Sequence, residues 1–277
     1  MLTVVANRNA RWLTERRSPA FLFFILSLIA AATSGILLLS ECGERWLTAR
    51  YWREVAEKRE AAEAADWTEG GVLPALRALY AENHDLVGWL SMPDSAINYP
   101  VMQTPDDPEY YLFRNFEREP ASVGAPFADY RCQVAPVSGF NTVIYAHDIL
   151  FIQLNQYGYL PGYFQSHQRI RFDTLTETGL YRVAAAFYLD AGAARLLDPW
   201  NPNDPQAYKC YNYLEVDSPE DFQKFANLVL ERRMFETDVE FSPRSRYLTL
   251  VCCATELFSG IPNDNGRLIV VAKRIGA

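Results

Sequence analysis

Residues 247–275 read YLTLVCCATELFSGIPNDNGRLIVVAKRI. Two runs rich in β-formers flank a segment holding Gly, Pro, Asn and Asp, the residues of a turn or loop. The pattern predicts two strands. Cys252 and Cys253 stand side by side at the end of the first, and Arg267 opens the second. Neighbouring side chains on a strand point to opposite faces, so only one of the two thiols can face a given cleft.

The same texture continues upstream. From Asp85 onward, short β-type runs recur between turn signals: VGWLSM, AINYPVM, NTVIYA, RIRFDTL and GLYRVAAAFYL. Short, regularly spaced strands predict a barrel or a sandwich. One helix is expected among them. Ser218 supplies an N-cap, Pro219 suits the first helical position and Glu220 and Asp221 complement the helix dipole. Phe222, Phe225, Ala226 and Val229 then form an apolar stripe, carrying the helix to about Met234.

The N-terminal quarter has a different character. Arg8, Arg11, Arg16 and Arg17 face only Glu15 in the first 20 residues, and Ser18–Ser40 then carries no charge. Those 23 residues would extend roughly 35 Å as a helix, enough for a hydrocarbon core of about 30 Å. The run is too long for a typical cleaved signal peptide and ends in Leu-Leu-Leu-Ser-Glu without a small-x-small exit. Glu41 also stands where a lipoprotein signal at Cys42 would need a small residue. The expectation is an uncleaved single-pass anchor over residues 18–40. By the positive-inside rule, residues 1–17 are cytoplasmic and the rest extracytoplasmic. Residues 41–71 read as a helical stalk or linker, broken by DWTEGG, with a short helix following near Leu73–Glu82 and a single domain over 72–277.

Composition narrows the function. A net charge of -8 argues against the basic face that phosphate neutralisation needs, so no nucleic-acid partner is expected. Five cysteines (Cys42, Cys132, Cys210, Cys252, Cys253) make an odd number with no framework spacing; Cys132 and Cys210 could pair, but the expectation is that both are reduced. The three histidines, His84, His147 and His167, are scattered and no CxxC or HxxxH occurs, so no metal is expected. A thiol needs help to become a nucleophile, because its pKa near 8.5 leaves little thiolate at neutral pH. His147 ends the NTVIYA strand and can exchange its proton. Arg267 can stabilise negative charge on an oxyanion. Singly, each residue also has an ordinary structural reading; their convergence is a matter for the fold.

The combination resembles the sortase signature, in which a Thr-Leu-x-Thr-Cys strand end precedes a strand opened by arginine. Thr249-Leu250-Val251-Cys252-Cys253 matches it except at Cys252, where the family has threonine, and GRLIVVAKRI resembles the arginine strand. NTVIYAHDIL is similar to the family's Asn-Thr-Val-Ile-Tyr-Gly-His-Asn segment, with Ala146 and Asp148 as departures. DLVGWLSMPDSAINYPVMQTPDDPEYYLFRNF and the helix from Ser218 are similar to class B members, so the resemblance spans residues 72–275.

The resemblance implies a mostly β fold with helices: a closed sortase-type barrel with N-terminal helices and a long helix inserted before the cysteine strand. It implies a membrane-anchored cysteine transpeptidase that cleaves a C-terminal sorting motif, NPxTx-like for class B, through a thioacyl-enzyme. It assigns Cys253 as nucleophile, His147 as general acid and base, and Arg267 as oxyanion stabiliser, with no cofactor. Partners would be secreted surface proteins or pilins and, as amine, a peptidoglycan precursor or a lysine, in a bacterial and most often Gram-positive membrane. A hydrolytic cysteine protease and an idle peptide-binding protein remain alternatives. The 13 residues between Cys253 and Arg267 exceed the class B norm, with Gly260–Gly266 as an inserted loop expected to border the substrate groove. Arg274 is the other arginine of that strand, and the NGR match favours Arg267.

Overall fold

The computed structural model describes residues 19–63, 72–134, 139–190, 213–260 and 266–276. The basic N-terminus, the DWTEGG break, Cys210 and most of the 260–266 loop therefore lie outside the described residues. Two compact units divide between Tyr51 and Trp52.

The first unit contains most of helix α1, which runs without interruption from Pro19 to Glu63. Its apolar side chains from Phe21 to Leu39 are exposed in bulk, and the helix is long and apolar enough to cross a membrane. The second unit opens with the last turns of the same helix. Trp52, Val55, Ala56 and Arg59 recur at helical spacing and are buried. Trp52 meets Tyr99 edge to face, and Arg59 lies 5.4 Å over the Trp89 ring. Arg59 also reaches Asp173 at 3.3 Å, and Arg171 holds the same carboxylate at 2.7 Å. The barrel-bearing unit thus starts upstream of residue 72, where the strand-like texture of the sequence begins. Sparse apolar positions on a charged helix hide this docking, because three of them, with Arg59, suffice to make one buried stripe.

Helix α2 (Pro74–Glu82) starts on a proline and buries Ala75, Leu76 and Leu79. Among the described residues eight strands follow: β1 Leu86–Ser91, β2 Asn98–Met102, β3 Phe127–Ala128, β4 Asn141–Ala146, β5 Arg169–Thr174, β6 Leu180–Asp190, β7 Tyr247–Cys253 and β8 Gly266–Gly276. They close into a barrel in the order β1-β2-β3-β4-β7-β8-β6-β5. The predicted strands all form; the two-residue β3 has no readable period and was not expected. Short helical turns also fill the link from β4 to β5: α3 Asp148–Phe151, α4 Gln156–Tyr159 and α5 Tyr163–Ser166. Each spans four residues, too few for a helical pattern to emerge in sequence.

The inserted helix, α6, covers Pro219–Arg232, and the Ser218 hydroxyl accepts the Asp221 amide at 3.1 Å. Its Phe225 packs on Phe140, Tyr247 and Phe241. Phe140 immediately precedes β4 and Tyr247 begins β7. One aromatic cluster therefore pins the starts of two strands that pair in parallel, an arrangement that requires a long crossover. Among the described residues the last element before β8 is the turn α7, Glu256–Ser259.

Candidate active site

Register brings the predicted residues together. β4 and β7 run parallel, with Tyr145 opposite Val251 and Ala146 opposite Cys252. One step further, His147 comes level with Cys253. β7 and β8 run antiparallel, with Cys253 opposite Arg267. Neighbouring strands lie about 4.8 Å apart, so imidazole, thiol and guanidinium stand at the ends of three adjacent strands, with His147 one residue past β4. They line a single cleft of about 770 Å³.

Alternation separates the two thiols. Cys253 is exposed, on the face shared by Tyr145, Val251 and Arg267. Cys252 points to the opposite face, between Ala146 and Leu268 in the ladder, and is 2% exposed. Burial pushes its thiol well above the ordinary range, with the negative potential of Cys253 and Asp148 adding to the rise. A buried, protonated sulfur is inert as a nucleophile.

His147 precedes α3, in extended backbone conformation. Its Nε2 lies 2.8 Å from the Leu112 carbonyl oxygen. A carbonyl only accepts, so Nε2 carries the hydrogen and Nδ1 is the nitrogen that exchanges a proton in the neutral ring. The Phe113 ring leans on the imidazole with centroids 5.5 Å apart. Arg267 donates from Nη1 to the Gly266 carbonyl at 2.9 Å. Arg274 sits at the far end of β8 and binds Glu177 at 2.8 Å, so it belongs to a surface pair and not to the cleft.

No protein-family model matches the chain. Sortase B of Listeria monocytogenes is 28% identical over 218 residues, covering 74% of this chain and 76% of the relative. Sortase B of Staphylococcus aureus is 27% identical over 213 residues with the same coverage. Among solved structures, a Bacillus anthracis protein described as similar to sortase B superposes with TM-score 0.66 and 26% identity, covering 83% of this chain and 96% of that one. The Staphylococcus aureus sortase B–substrate complex has the same fold, with TM-score 0.68 at 22% identity over 84% of this chain and 99% of that one. In sequence and in fold the chain is similar to class B sortases.

The similarity to these proteins indicates a cysteine transpeptidase. Its cleft holds groups that no motif announces. The Leu112 carbonyl is backbone, and it reaches His147 from 35 residues away, so no side-chain pattern could reveal it. Asp129 and Arg131 also line the cleft. They are paired at 2.7 Å, just after the strand that sequence periodicity missed. The exposed Asp107 and Glu109 line the same cleft. Cys132 is buried, accepts the Val143 amide at 3.4 Å, and burial pushes its thiol up to about 12. Among the described residues no group of His, Cys, Asp and Glu forms a metal cluster.

Proposed function

We propose that the chain is a membrane-anchored transpeptidase in which Cys253 attacks the carbonyl of a C-terminal sorting motif. The observation that carries the reading is that His147, just past the end of β4, and Cys253 and Arg267, opposite each other on β7 and β8, line one cleft. The sulfur forms a bond to the carbonyl carbon, and the thiol proton passes to His147. As the tetrahedral intermediate collapses, the C–N bond breaks and the imidazolium returns that proton to the leaving amine. Arg267 stabilises the oxyanion. A second amine then attacks the thioacyl carbon, the C–S bond breaks, and His147 moves a proton from that amine to the departing thiolate.

The motif is NPxTx-like in this reading, the acyl donor a secreted protein or pilin, and the acceptor a peptidoglycan or lysine amine. Residues 18–40 hold the enzyme in the bilayer, with the basic residues 1–17 on the cytoplasmic side and the barrel outside. The exposed apolar stretch of α1 supports this placement.

The test uses the full chain in detergent micelles, with a panel of NPxTx-like peptides and amines such as triglycine and a lysine-bearing peptide. Ligated product that disappears in Cys253→Ala is the expected result. Cleaved peptide without ligation identifies a hydrolase, and an unconsumed panel leaves peptide binding as the role.

A further inference from the structure

Asp129 and Arg131 share the cleft with Cys253, yet the acyl transfer above uses neither. The Asp129 carboxylate is 5% exposed. Its Oδ1 accepts the Arg131 amide at 3.0 Å and Arg131 Nε at 2.9 Å. Its Oδ2 accepts Arg131 Nη2 at 2.7 Å and the Tyr145 hydroxyl at 3.1 Å. Four donors fill the capacity of a carboxylate. Burial alone would raise its pKa, but the Arg131 contacts outweigh that and hold the carboxyl below the usual range. So enclosed and so firmly ionised, Asp129 is no proton carrier.

What the arrangement achieves is the aiming of a guanidinium. The Arg131 side chain remains 27% exposed and stands 5.4 Å from the Tyr130 ring centroid. Tyr145, which completes the carboxylate's shell, lies two residues before His147 on β4. The fork is thus tied to the strand that leads to the imidazole. Pre-orientation of this kind reduces what a flexible arginine would lose on binding. The exposed Asp107 and Glu109 disfavour anions in the cleft generally. An anion that enters must therefore be held by directed contacts.

We propose that Arg131, held by Asp129, is a specificity-determining residue that binds a carboxylate of the reacting partners beside Cys253. A guanidinium meets a carboxylate in a planar two-point contact that the point charge of lysine does not reproduce. The proposal rests on the acyl-transfer reading and adds a charge preference to it. The carboxylate comes either from the acyl-donor peptide or from the amine acceptor, and the experiment separates the two.

The full chain in detergent micelles is alkylated at Cys253 with iodoacetate and, in parallel, with its neutral twin iodoacetamide; peptide mass spectrometry reads the rate at that cysteine. The double variant Asp129→Asn/Arg131→Gln keeps the net charge of the cleft while removing the fork. Its iodoacetate-to-iodoacetamide rate ratio is expected to fall about tenfold from the parent value. Acyl transfer is then compared for NPxTx-like peptides bearing Glu or Gln at each variable position, and for L-lysine against cadaverine as acceptor. The parent prefers the acid in one of these pairs, Arg131→Gln removes that preference, and Arg131→Lys restores part of it. An unchanged alkylation ratio in the double variant overturns the proposal, as does an equal loss for both members of every pair, which marks a purely structural ion pair. A chain that shows the predicted alkylation ratios but transfers no acyl group upholds the carboxylate site and refutes the transpeptidase reading instead.

Discussion

A Cβ added at Gly124 would lie 2.3 Å from the carbonyl oxygen of Leu112, the oxygen that takes the Nε2 hydrogen of His147. Gly124 has φ +62, in the left-handed region that side chains avoid. Glycine at this position therefore lets the Tyr110–Phe113 turn sit where the imidazole needs it. Gly124→Ala is expected to cost about 1–3 kcal/mol of stability and to push Leu112 away from His147. Activity per folded molecule should fall about tenfold, with the histidine limb of the pH–rate profile displaced. A melt shift with an unaltered pH profile would mean that the glycine serves the backbone alone.

The four thiols among the described residues should divide by exposure. Cys253 and Cys42 are exposed, while Cys132 and Cys252 are buried and burial raises both thiols. A raised pKa keeps a thiol protonated, so iodoacetamide at pH 8 should modify Cys253 and Cys42 and spare Cys132 and Cys252. Cys253→Ala should abolish acyl transfer, and Cys252→Ala should retain it within a few-fold. Loss of activity in Cys252→Ala alone would reverse the assignment.

The two arginines of β8 should fail differently. Arg267 faces Cys253 across the ladder, and Arg267→Ala is expected to lower kcat/KM by about 10²–10³. Arg274 pairs with Glu177 at a partly exposed site. Arg274→Ala should cost about 1 kcal/mol in a urea titration and leave turnover by the folded enzyme largely intact. Equal kinetic losses in both variants would contradict the placement of the site.

Acid should weaken the cleft through Asp129. Its folded pKa is lowered from the ordinary 3.8, because the contacts from Arg131 outweigh burial. The pair's contribution is therefore present above the unfolded pKa and is lost as pH falls through the lower folded value. In denaturation curves taken between pH 5 and about pH 2, Asp129→Asn should flatten part of the acid-limb slope. An identical slope in the variant would show that the pair adds nothing to folding.

Legibility varied with the range of the interaction. β7 and β8 were plain from β-branched runs around a turn, and α6 from its cap, its proline and one apolar stripe. β3 was invisible because two residues have no period, yet it carries the chain into Asp129. The docking of Trp52, Val55, Ala56 and Arg59 was equally hidden, since a charged helix with few apolar residues reads as solvated until a partner surface is known. Leu112 acts through its carbonyl, which every residue possesses.

Alone, the order of residues determined that only one of the two neighbouring thiols can face the groove and that an apolar helix long enough for a bilayer precedes the strands, because both follow from repeats of a few ångströms along one chain. Tertiary structure decided that His147 stands beside Cys253 although 105 residues lie between them. The parallel pairing of β4 with β7, pinned by Phe140, Phe225 and Tyr247 and closed by the barrel, sets that register. Local periodicity cannot encode it, since the offset between distant strands depends on how their side chains pack and not on either strand by itself.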